Sequence, residues 1–150
     1  MRPQRTPSPP LRHALLYGLP VVMYAGLIFL LSSLPPFPDD PIPFVGYDKL
    51  AHLVEYVLFG MLMCRWFSNA RAPRIRRHAA LLTVLLGLCY GVSDEWHQSF
   101  IPGRVASAWD VLFDTLGVVT AALAYPLTMK RYPALQRLDR TLERKFIHEP

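Results

Sequence analysis

The sequence predicts an all-α membrane protein: a four-transmembrane-helix bundle with both termini cytoplasmic and a C-terminal amphipathic interfacial helix. Three observations carry that expectation. The run from Ala14 to Leu34 spans 21 residues without a charge. Of the 150 residues, 52% are apolar and only 18% charged, where an ordinary soluble domain has about 25% charged. The charges are also sorted by sign along the chain instead of being mixed. This composition excludes intrinsic disorder, and two cysteines exclude a disulfide scaffold.

The first span is the cleanest. A bilayer core needs roughly 20 apolar residues at about 1.5 Å rise each, and residues 14–34 supply them. Arg2, Arg5 and Arg12 precede this run, as in a signal peptide. The run exceeds a signal peptide's usual ~7–15 apolar residues, and SSLPP offers no small-x-small cleavage site. An uncleaved span is the expectation. Residues 35–44, PPFPDDPIPF, contain five prolines and cannot continue the helix, so a stiff extended connection follows.

Three further spans are expected, at about 48–67, 79–99 and 110–129. The second is apolar apart from Asp48, Lys49, His52, Glu55 and Arg65. The third opens with AALLTVLLGLCYGV and turns polar at Ser93-Asp94-Glu95-Trp96-His97-Gln98. The fourth carries Asp110 and Asp114 at its start. A dry run of 14 residues could equally be a buried core helix. Charge sorting decides between the two.

Of the 16 Lys and Arg, 14 fall on alternate connections: before the first span, around 65–77, and after residue 129. Only Lys49 and Arg104 lie on the other side. Under the positive-inside rule both termini and the 68–78 connection are cytoplasmic. Eight of the 11 acidic residues belong to the outer half: Asp39, Asp40, Asp48, Glu55, Asp94, Glu95, Asp110 and Asp114. The pI of about 9.5 is therefore a matter of topology, and no nucleic acid partner is expected. The segments divide into a basic 1–13, a transmembrane 14–129 and a basic tail 130–150. In the tail Leu135, Leu138, Leu142 and Phe146 recur at helical spacing among Arg137, Arg140, Arg144 and Lys145, which suits a helix lying on an anionic leaflet.

Ionisable groups within spans are costly, at least ~2.5–3.5 kcal/mol each by insertion scales, and usually mark function. Asp48, His52, Glu55 and Tyr56 are spaced to share one stripe of their helix. Asp94, Glu95 and Gln98 share one side of the next, and Asp110 and Asp114 are a turn apart. From the rise per residue His52 lies roughly 6 Å below the outer surface and Glu55 roughly 10 Å. Glu95 climbs roughly 24 Å from the inner side, and Asp114 lies roughly 6 Å deep. Three helices thus deliver polar groups to one outer layer, with Arg104 in the turn above.

Three readings compete. The first is a buried polar network that only fixes the helix arrangement. The second is a binding site for an amphiphile or its head group, with Arg104 and Lys49 as anchors for an anionic part. The third is catalysis, with His52 and Glu95 as acid–base pair or metal ligands. No HExxH or CxxC occurs and no metal or cofactor is expected, although His52, Glu55 and Glu95 could chelate if the fold brought them together. Whether the chain is an enzyme stays open at this point, as does its oligomeric state. Cys64 and Cys89 read as core residues, Trp66, Trp96 and Trp109 as an aromatic belt, and Ser107 as a helix cap. Gly60, Gly87, Gly91 and Gly117 allow close helix packing.

The segments DKLAHLVEY (48–56), SDEWHQSFIPGR (93–104) and DVLFDTLG (110–117) resemble the VanZ-like family of small bacterial membrane proteins, from about residue 20 to 127. Asp48, Lys49, His52, Tyr56, Glu95, Gln98, Arg104 and Asp110 match its pattern position by position. Asp114 departs from it, since the family often has Asn there. The resemblance implies a multi-pass protein of the bacterial inner membrane in an envelope context, the namesake being associated with resistance to lipoglycopeptides such as teicoplanin. It supplies no reaction. The expected partners are membrane lipids and a lipid-linked cell-wall or polysaccharide precursor.

Overall fold

A computed structural model of the protein describes residues 10–35 and 46–148. The basic residues Arg2 and Arg5, the acidic pair Asp39 and Asp40, and most of the proline-rich 35–44 connection lie outside the described residues. Everything regular among the described residues is helical, with no strand. Four helices are long and apolar enough to cross a membrane: 11–32, 47–68, 79–98 and 108–131.

The first, α1, is continuous but changes pitch, running as Pro10–His13, a π-helical stretch Ala14–Gly18, and Leu19–Ser32. α2 is Tyr47–Ser68, entered through Gly46 at φ 94°, a left-handed conformation that favours glycine. A short α3, Pro73–Arg77, makes the turn to α4, Ala79–Gln98. α5 runs Ala108–Arg131, with Pro126 tolerated inside it, as prolines are in membrane helices. α6, Pro133–Glu143, continues into a π-helical end, Arg144–His148.

α2, α4 and α5 form the tight core and α1 packs on its flank. Small residues set the spacing. A Cβ on Gly117 would come within 2.7 Å of the Leu53 carbonyl oxygen and 2.8 Å of Tyr56 Cβ. A Cβ on Gly87 would meet Val118 at 2.5 Å. In lipid, helix association depends on such close contact because the tails are as apolar as leucine. The outward faces of α1, α4 and α5 expose Leu30, Leu85, Leu123 and Leu127, as lipid-facing surfaces require. The bundle interior holds Tyr56, Val118, Thr83 and Ile28, all fully buried.

Candidate functional site

At one end of the bundle, the acidic end, α2 presents its polar stripe to α5. Lys49 Nζ donates to Asp48 at 2.7 Å and also to Asp110 of α5. One turn deeper, His52 Nδ1 is 2.9 Å from Asp114 Oδ1. α5 begins here because Ser107 caps it, its hydroxyl accepting the Trp109 N–H at 3.2 Å. The Ser107 backbone N–H donates to Glu95 Oε2 of α4 at 2.7 Å. The cap therefore joins two helices as well as starting one. Gln98 Nε2 donates to Asp94 Oδ2 at 2.8 Å within α4.

The depth of burial is unusual for such groups. Asp114 is 0% exposed, and Asp94, Glu95, Gln98 and Asp110 are all buried. Asp114 fits because α4 has Gly91 opposite it, where a Cβ would come within 2.9 Å of Asp114 Oδ2. At this end three enclosed atoms of the described residues lack a hydrogen-bond partner: Glu95 Oε1, Asp114 Oδ2 and the Tyr56 hydroxyl. Burying an unsatisfied polar atom costs about 1–3 kcal/mol, more if charged.

A cavity of about 270 Å³ opens beside these groups. Its polar wall is Ser32, Asp48, His52, Glu55, Gln98 and Arg104, and Leu31 and Ala51 complete it. Arg104 is placed by the end of α1 and the residues just after it, its Nη2 donating to the Leu31 carbonyl at 2.9 Å and its Nε to the Leu34 carbonyl at 3.1 Å. Separately, His52, Glu95 and Asp110 bring donor atoms within 4.8 Å of one another. The His52–Asp114 pair is suited to proton transfer, since a carboxylate on Nδ1 fixes the tautomer and orientation of the ring.

The residues singled out from the spacing divide between the cavity wall, the network beside it and the aromatic core. Lys49 is held between two carboxylates and does not line the cavity, so Arg104 is the cation on its wall. Glu55 faces the cavity, and the cluster with His52 and Glu95 is completed by Asp110 instead of the expected Glu55. Tyr56 lies in the aromatic core, 6.0 Å from Phe59 and 6.4 Å from Tyr90 between ring centroids. Sequence reasoning missed that α1 forms part of the site through Leu31 and Ser32. A serine ending a uniformly apolar helix was the available signal. It also missed His97, which bonds Ser33 at 2.9 Å and stacks on Phe29 to tie α1 to α4.

The VanZ/LLP1 family profile matches residues 14–129, most of the chain. The chain belongs to the VanZ/LLP1 family. The match spans all four long helices but for their outermost turns, and contains every site residue named above. No curated protein and no solved structure matches the chain.

Proposed function

We propose that this VanZ/LLP1 family protein recognises the head group of an amphiphilic envelope molecule, a lipid-linked cell-wall or polysaccharide precursor or a lipoglycopeptide. The observation that carries the reading is the cavity of about 270 Å³. Its wall combines His52, Glu55, Gln98 and Arg104 at membrane depth, beside helices whose outer faces suit lipid tails. A polar head seated there, with its tail left in the bilayer, needs both environments side by side. Arg104 faces an anionic part, and Gln98 and Glu55 suit hydroxyls or amides.

In this reading the acidic end faces outward in the bacterial inner membrane, with both termini cytoplasmic, and α6 lies on the inner leaflet with Leu135, Leu138 and Leu142 towards lipid. Reporter fusions after Phe44 and Arg74 test it: an external signal from Arg74 overturns the orientation. For the site, purified protein incubated with a labelled envelope-lipid extract should retain label, and Arg104→Ala should release it. Equal retention by Arg104→Ala overturns the assignment.

A second reading is intramembrane catalysis on a lipid, and the His52–Asp114 contact at 2.9 Å favours it. Here His52 and Glu95 move the proton. A new lipid product in the same incubation, lost in His52→Ala, would select this reading over simple retention.

A further inference from the structure

We propose that His52, Glu95 and Asp110 form a binding site for a divalent cation of zinc-like chemistry, with Asp114 as the residue that orients His52. Three helices contribute one ligand each, and their donor atoms already lie within 4.8 Å of one another. Metal–ligand bonds of about 2.0–2.2 Å place neighbouring donors roughly 3–4 Å apart, so small side-chain rotations close the set. One imidazole with two carboxylates suits Zn²⁺ better than Mg²⁺ or Ca²⁺, which prefer all-oxygen shells.

Two observations beyond the clustering point to a ligand. The first is Glu95, 5% exposed, whose Oε2 is satisfied by the Ser107 N–H while Oε1 is enclosed without any partner. An anionic oxygen left bare in a low-dielectric interior is expensive, and a cation bound there removes the cost. The second is the His52–Asp114 bond. Asp114 occupies Nδ1, which leaves the Nε2 lone pair as the nitrogen for an ion. A ligating histidine ordinarily has its other nitrogen held by a carboxylate in this way, fixing the tautomer and raising its basicity.

The local charge agrees. Asp48, Glu55, Asp94, Glu95, Asp110 and Asp114 gather at this end, against Lys49 and Arg104. Lys49 already serves Asp48 and, at Oδ1, Asp110, whose ligation would displace or share that bond, and Arg104 serves the Leu31 and Leu34 carbonyls. Three protein ligands leave a tetrahedral ion one open position. His52 also lines the cavity, so the ion would sit next to the proposed head-group pocket, but its binding does not depend on that pocket.

The test is direct. Full-length protein without a polyhistidine tag is stripped with a chelator, then titrated with Zn²⁺, with Mg²⁺ as comparison. One Zn²⁺ per chain is expected, weakened roughly tenfold or more in His52→Ala, Glu95→Gln and Asp110→Asn. Asp114→Asn should weaken it about 10–100-fold, and Glu55→Gln should not change it. No stoichiometric Zn²⁺, or equal affinity in His52→Ala and Glu95→Gln, overturns the site. Should the variants not fold, X-ray absorption of the Zn²⁺-loaded wild type decides: a first shell of one imidazole with oxygen supports the site, and sulfur ligation or water alone overturns it. Lipid retention measured with and without chelator separates this site from the head-group reading. Metal binding without any retention ends that reading and leaves the cation site standing.

Discussion

The two ends of the bundle solve the same problem in opposite ways. At the basic end, Arg65 of α2 donates through Nε and Nη2 to Asp139 Oδ1 of α6, at 2.9 and 2.6 Å. Its Nη1 donates to the Leu16 carbonyl, and its guanidinium stacks 4.6 Å from the Tyr17 ring centroid. Asn69 donates to the Arg65 carbonyl and reaches Asp139 Oδ2, and His13 contacts the Asn69 carbonyl at 2.7 Å. One cation meets one anion, and the pair straps α6 and α1 to α2. The orphan atom here is a neutral one, the Tyr17 hydroxyl, next to a cavity of about 300 Å³.

At the acidic end, carboxylates outnumber cations and two carboxylate oxygens have no partner. A network that only holds helices together matches its charges, as Arg65 and Asp139 do. The acidic end leaves two buried carboxylate oxygens unmatched, and the proposed site rests on that difference. The lesson is that polarity inside a membrane protein does not mark function by itself, and that the balance of charge at each end is what separates the two.

The largest expected effect sharpens this contrast. His52→Ala should lower retention of envelope lipid roughly tenfold or more while the protein stays folded, by analogy with loss of an anchoring residue in a pocket. Gel filtration in detergent checks the fold, and aggregation without a measurable retention defect in the folded fraction would break the comparison. Next, Arg65→Ala should cost about 2–4 kcal/mol of stability, below the value for a fully buried pair because both side chains are partly exposed. Lipid retention should be unchanged, and Arg65→Met combined with Asp139→Leu should recover much of the loss. Thermal unfolding in one fixed detergent measures both.

Gly117→Ala should destabilise by about 1–3 kcal/mol through overpacking against backbone that cannot yield. The same measurement applies, and an unchanged midpoint would mean that α2 and α5 separate easily. The smallest effect is the most diagnostic. Glu95→Gln and Asp114→Asn should leave the unfolding midpoint unchanged or raise it by a few degrees, since each replaces by a neutral amide a buried carboxylate with one oxygen that no protein group bonds. A clear fall in the midpoint for both would assign the acidic end to structure and erase its difference from the basic end.

The pattern of spans was legible because a bilayer imposes a length and an apolar composition that a sequence displays directly. Ala14–Leu34 needed no structural help, and the observed helix covers nearly the same residues. Helical periodicity likewise put His52 and Tyr56 on one stripe. It could not say that Tyr56 turns into an aromatic cluster while His52 turns to Asp114, because periodicity fixes a face and not its partner. Rise per residue placed Glu95 and Asp114 at similar depth. It could not show that Ser107 N–H bonds one and His52 the other.

By itself the sequence determined that this is a four-helix membrane protein with its acidic groups gathered at one end, because hydropathy and charge sorting are properties of the chain taken one residue at a time. Tertiary structure decided which groups pair. Lys49 was neutralised by Asp48 and Asp110, Arg65 found Asp139 more than 70 residues away, and Glu95 kept a bare oxygen. Pairing depends on distances of a few ångströms between helices, and those are set by packing at positions such as Gly87, Gly91 and Gly117. No spacing along the chain encodes them.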